Sequence, residues 1–177
     1  KKNVDTGMGV ERTTAILEGV NDNYASSVWK DVIELISNIS GIKYEDNMKS
    51  MRIIADHMRT AVFISADPAG IKPSNTDQGY ILRRLIRRAI RHAKTLNIDI
   101  NSDFEQQIAK LIVSKYKTYY KELSDNENVI YEVLANEKNK FNRTLEKGLR
   151  EKKKVTRDGK DLDGVTAFRL FDTYGFP

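Results

Sequence analysis

Helix breakers constrain this chain more than any other feature of its sequence. Its 177 residues contain three prolines and ten glycines. Most of them fall between long stretches whose apolar residues recur every three or four positions. Such spacing buries one face of a helix, whereas a strand would alternate. From about Ser26 to Ile39 the seam is Val28, Trp29, Val32, Ile33, Ile36 and Ile39, closed by Gly41. From about Lys49 to Ser65 it is Met51, Ile54, Ala55, Met58 and Val62. Pro68, Gly70 and Pro73 make Asp67–Asp77 a loop, and a further helix runs from Gly79 to about Leu96. Phe104, Ile108, Leu111, Ile112 and Tyr119 predict a helix over 103–121. Ile130, Val133, Leu134, Phe141 and Leu145 predict another from about Glu127 to Lys154, polar on most of its circumference and expected to project or to pack on a narrow seam. A short helix at Val10–Gly19 and another at Thr166–Phe171, after a turn at Arg157–Lys160, flank these. Strand signals are almost absent. The expected class is all-α and bundle-like, with one strand at the extreme N-terminus.

The Gly79–Leu96 helix, GYILRRLIRRAIRHAKTL, carries five arginines and one lysine and no acidic residue. At about 100° per residue, with Arg83 at zero, Lys94, Arg87, Arg91, Arg84 and Arg88 fall at about 20°, 40°, 80°, 100° and 140°. Leu85, Leu96, Ala89, Leu82, Ala93, Ile86 and Ile90 occupy about 200° to 340°. One face is therefore buried, and the other is a cationic stripe about 25 Å long. Arginine's planar fork gives phosphate two parallel charge-assisted hydrogen bonds, so the stripe has the form of a nucleic-acid footprint. The residues alone leave two other readings open: a solvated face, and arginines paired with acids from other helices. A membrane-surface helix is disfavoured, because the stripe lacks exposed aromatics.

Composition adds limits. The chain is 40% hydrophobic and 31% charged, with a net charge of +5, as in a water-soluble globular protein. Without cysteine it has neither disulfides nor thiolate metal sites. No apolar run approaches the roughly 20 residues that span a bilayer. His57 and His92 are too isolated for a metal site, and Asp56 beside His57 reads as a structural pair. Tyr116, Tyr119 and Tyr120 read as core or half-buried surface before base-stacking groups. Lys1 in place of Met, and an end at Pro177, suggest a segment of a longer protein.

The N-terminal string Val4-Asp5-Thr6-Gly7-Met8-Gly9-Val10-Glu11-Arg12 fits neither a P-loop nor a dinucleotide fingerprint. It resembles motif 3 of the class II aminoacyl-tRNA synthetases, in the form found in the alanyl-tRNA synthetases. Three further blocks resemble that family in the same order: RIIADHMRTAVFISAD at 52–67, PSNTDQGYILRRLIRRAIRH at 73–92 and LDGVTAFRLFDTYGFP at 162–177. The resemblance spans nearly the whole chain and is weakest between about 97 and 155.

The resemblance implies a strand-helix remnant of the catalytic domain at 1–20, a helical tRNA-recognition domain at 21–155, and a closing turn and short helix at 156–177. It implies that Asp5 holds the α-ammonium of alanine and Gly7 keeps space beside it, while Gly9 gives ATP room and Arg12 contacts it. The implied parent enzyme is a cytoplasmic alanine–tRNA ligase using ATP and Mg2+, with zinc only in an editing region outside this chain. Motifs 1 and 2 are not in this sequence, so the segment alone is expected to be inactive. The implied partner is the acceptor stem of alanine tRNA, whose G·U pair is read by Asn75 and Asp172. An RNA minor groove is wide and shallow, and a wobble guanine offers there an amino group that an amide or carboxylate oxygen can accept. Arg83, Arg84, Arg87, Arg88, Arg91 and Lys94 would contact phosphates. Gln78 stands where a basic residue is expected. The alternatives are a free-standing RNA-binding module without ligase activity and a helical interaction module with a merely solvated basic face.

Overall fold

The densest apolar seam of the sequence becomes the axis of the fold. The computed structural model describes residues 3, 6–155 and 163–168. Among them the helices are α1 (Val10–Leu17), α2 (Lys30–Ser40), α3 (Met48–Ala66), α4 (Asp77–Thr95), α5 (Phe104–Tyr116), α6 (Lys121–Asp125) and α7 (Glu127–Val155), with a further helical turn at 164–168. No strand occurs among the described residues, so the all-α expectation holds. The expected N-terminal strand falls largely on residues outside them. No described helix is long and apolar enough to cross a membrane.

α3 touches α2, α4, α5, α6 and α7, and its most extensive partner is α4. Met51, Ile54, Ala55, Met58, Ala61 and Val62 on α3 are fully buried, as are Leu82, Ala89 and Ala93 on α4. The alanines in both helices let the two backbones approach closely. Burying a side chain of Leu, Ile or Met contributes roughly 1.5–3 kcal/mol. The cationic stripe of α4 is thus held by its opposite face.

Helix ends follow local chemistry. Gly41, at φ 68°, closes α2 in the left-handed conformation that glycine adopts freely. α4 ends with Asn97 at φ 58°. The Ile98 amide reaches back to the Ala93 carbonyl and the Asn97 amide to that of Lys94, 3.0 Å each. That pattern is a Schellman cap, with Ile98 buried.

Three sequence expectations shift. α2 begins at Lys30 rather than near Ser26, because local bonds hold the preceding residues. The Ser26 hydroxyl donates to the Asn23 carbonyl at 2.5 Å, and the Ser27 amide donates to Glu18 at 2.8 Å. The helix expected over 103–121 breaks after Tyr116, and Tyr120 is extended. There its ring meets Phe63 of α3 edge-on at 5.1 Å. Tyr119, expected on the apolar side, is instead 81% exposed. The terminal helix begins at 164 rather than 166, and its expected continuation to Phe171 lies outside the described residues.

α7 does not project over its first half. It packs on α3, α4 and α5, burying Ile130, Val133, Leu134, Phe141 and Leu145. The same seam buries Glu137 and Lys138. Lys138 Nζ lies 2.8 Å from the Glu105 carboxylate of α5 and also donates to the Ser102 carbonyl. Glu137 faces α4.

Candidate nucleic-acid interface

The cationic face of α4 becomes a groove of about 590 Å³. Arg83, Arg84, Arg87, Arg88 and Arg91 line it, with His57 of α3 at one side and Phe141 of α7 at another. No carboxylate is among its described lining residues. The arginines are not equivalent. Arg84 and Arg88 are exposed; Arg83, Arg87 and Arg91 are half-buried. Arg87 Nε donates to Glu137 at 2.6 Å, and its guanidinium lies 5.2 Å from the Phe141 ring centre. Among the described residues, Arg84, Arg88 and Arg91 form no ion pair with a carboxylate. Burial pushes the Arg91 pKa down, and the positive fields of Arg88 and Arg84 add to that effect. His92 is pushed down by burial first and then by Arg88, Arg91, His57 and Lys49. Cations crowded in this way are a site that an anion relieves. Lys94 is exposed near the far end of the same helix.

The near end carries the loop with Asn75. Asp77 opens α4 at φ 52°, a conformation aspartate tolerates better than bulkier residues. Two residues on, Gly79 is buried, and a methyl group there would collide with the Lys72 carbonyl oxygen and the Ser74 side chain. The loop therefore lies directly on the first turn of the helix, tied by the Ser74 amide to the Gly79 carbonyl at 3.1 Å. This fold-back brings Asn75 to Arg83, whose Nη1 donates to the Asn75 amide oxygen. The Tyr80 ring centre lies 5.3 Å from the Arg83 guanidinium and 5.6 Å from that of Arg84. Gln78, in the first turn of α4, is exposed.

Of the other expected site residues, Gly7, Gly9 and Arg12 are exposed at the start of α1, and Asp5 and Asp172 lie outside the described residues. A methyl group at Gly7 or Gly9 would meet no described protein atom, so packing within the described chain does not demand glycine there. Next to Arg12, Glu11 accepts from Arg59 Nη2 of α3 at 2.6 Å. That hydrogen bond holds the Glu11 pKa below the ordinary carboxylate value. His57 Nδ1 lies 3.0 Å from Asp56.

Sequence reasoning missed three residues here. Glu137 was detectable as a charge on an otherwise apolar seam, between Leu134 and Phe141. Arg59 likewise flanks the Ala55–Met58–Val62 seam. Tyr80 gave no signal of its own.

Comparison with known proteins places the chain. The family described as tRNA synthetases class II (A) matches residues 1–177. An alanine–tRNA ligase of Borreliella afzelii is 44% identical over 182 residues, covering 100% of this chain and 30% of the relative. That of Treponema pallidum is 40% identical, covering 98% and 30%, respectively. That of Blochmanniella floridana is 44% identical, covering 98% and 19%. The chain thus spans less than a third of the length of these relatives. By its match along the entire sequence, it belongs to the class II (A) tRNA synthetases.

Proposed function

We propose that this chain is the acceptor-stem-binding segment of an alanine–tRNA ligase, with the end of the ATP and alanine site at its N-terminus. The parent enzyme activates alanine with ATP and transfers it to the 3′ end of alanine tRNA. Residues 1–20 belong to the catalytic domain, 21–155 to the tRNA-recognition domain, and 156–177 complete the reader. In this reading Asp5 and Gly7 serve alanine, and Gly9 and Arg12 serve ATP. Mg2+ accompanies the nucleotide. The segment alone does not activate alanine, because motifs 1 and 2 lie outside it.

The observation that carries the RNA reading is an arginine groove with no carboxylate among its described lining residues and an amide side chain fixed at its rim. Arg84, Arg88 and Arg91, without carboxylate partners among the described residues, supply positive charge for phosphates, with Arg83 and Lys94 at the two ends. Asn75 and Asp172 read the G·U pair. Phosphate contacts supply most of the affinity, and base contacts supply the choice. Against a solvated face stands Arg91, half-buried with no carboxylate partner among the described residues, a placement that water contact alone would not select.

The test is binding of acceptor-stem hairpins that differ only in G·U versus G·C. A good base contact is worth roughly 1–3 kcal/mol, or about 5- to 150-fold. Asn75→Ala and Asp172→Ala are each expected to narrow the wobble preference within that range, with little loss on the G·C hairpin. Circular dichroism checks that both variants fold. Two folded variants that keep the full preference would remove Asn75 and Asp172 from the reading.

A further inference from the structure

α1 touches the bundle along one narrow arc. At about 100° per residue, Glu18, Glu11 and Ala15 lie within about 60° of one another. Each is engaged. Ala15 is buried, Glu18 holds the Ser27 amide at 2.8 Å, and Glu11 takes the guanidinium of Arg59 at 2.6 Å. Thr13 and Thr14 are half-buried, and the remaining residues are open, with Val10 67%, Ile16 78% and Leu17 82% exposed. Arg12 follows Glu11 and points about 100° away from it, into that open side. Packing alone therefore does little to fix how far α1 is rotated.

Arg59 is held from two directions. Its edge meets the Glu11 carboxylate, and its face lies 3.7 Å from the centre of the Trp29 ring. Trp29 is itself only 3% exposed and anchored in the core. A planar guanidinium can satisfy a carboxylate along its edge while stacking on an indole with its face; an ammonium cannot do both. Arg59 stands on α3, two residues from His57, which lines the arginine groove. One rigid helix thus bears both the wall of the groove and the clamp on α1.

We propose that Arg59, stacked on Trp29 and paired with Glu11, is the positioning residue that sets the rotation of α1 and thereby the reach of Arg12 toward the nucleotide. The proposal rests on the reading of Arg12 as an ATP contact. Arg59 does not touch the nucleotide. It transmits the rigidity of the bundle to the residue that does.

The experiment is ATP–pyrophosphate exchange in a full-length ligase carrying this segment, with Arg12→Ala, Arg59→Gln, Arg59→Lys, Glu11→Gln and the Arg59→Gln/Glu11→Gln double variant. Arg59→Gln and Glu11→Gln are each expected to raise KM for ATP about 5- to 20-fold while KM for alanine changes less than about 2-fold. The double variant should be no worse than either single one, since both remove the same link. Arg59→Lys should recover part of the loss. Assays are run where circular dichroism shows every variant folded, so lowered stability cannot imitate the KM effect. If Arg12→Ala raises KM for ATP and both single-pair variants leave it unchanged, the positioning role is overturned and the ATP reading survives. If Arg12→Ala is itself silent, the ATP reading of α1 falls, and the role of Arg59 falls with it.

Discussion

Arg87 and Arg88 are neighbours on one cationic arc, yet their surroundings are opposite. Arg87 is half-buried, bonded to Glu137 at 2.6 Å and laid against Phe141. Arg88 is exposed and forms no ion pair among the described residues. The first joins α4 to α7; the second offers its charge outward. A stripe of like residues on a helical wheel therefore mixes cations engaged inside the protein with cations left exposed. Which is which depends on the next helix.

The largest expected effect tests that contrast through stability. Arg87→Ala strands the carboxylate of Glu137, which is only 3% exposed. The loss should be about 2–4 kcal/mol, toward the lower part of what a broken buried pair costs because Arg87 keeps some water contact. Arg88→Ala should stay within about 0.5 kcal/mol. Urea unfolding of the two variants measures the difference. Equal values would mean that the Glu137 contact contributes nothing.

A second test sharpens the contrast through RNA. Reversing both Arg84 and Arg88 to Glu should weaken G·U and G·C hairpins alike and reduce the salt slope by about 1–2, as two phosphate contacts are lost. Unchanged affinity and slope would make the exposed arginines a solvated face.

The smallest effect concerns Arg59, intermediate between the two. Its partner Glu11 has a lowered pKa, chiefly through their hydrogen bond, so the pair contributes stability above the ordinary carboxylate value of 4.5. That contribution is lost as pH falls through the depressed value in the folded state. Since Trp29 is the chain's one tryptophan, its fluorescence should change below pH 4.5 as Arg59 is released, and the step should be absent in Glu11→Gln. An identical acid transition in the variant would place its origin elsewhere.

Periodicity made most of the fold legible, because α3, α4 and α7 bury the seams their spacing shows. It failed where a side chain from another element competes with the helix. Glu18 at Ser27 delays α2, and Phe63 draws Tyr120 out of the α5 register. The candidate site was legible as a list, from the arginine arc and from the family resemblance. Its geometry was not. The need for glycine at 79 comes from the Lys72 carbonyl folding back on it, and this contact puts Asn75 beside Arg83. A local pattern holds no record of such a crossing.

Consecutive residues of α7, Glu137 and Lys138, answer opposite charges on different helices. Displace the 29-residue helix by one position and either Lys138 confronts Arg87 or Glu137 confronts Glu105, while the other contact is left to an asparagine. Either displacement exchanges one attraction for a repulsion and forfeits the second. The apolar seam already opposes such a displacement, which would bring Asn142 and Glu146, or Glu132 and Lys140, into the places of buried residues, and this pair adds a penalty of sign. Phe141, one turn further along, is thereby kept at the edge of the arginine groove, so the shape of that groove depends on a choice made in the protein interior.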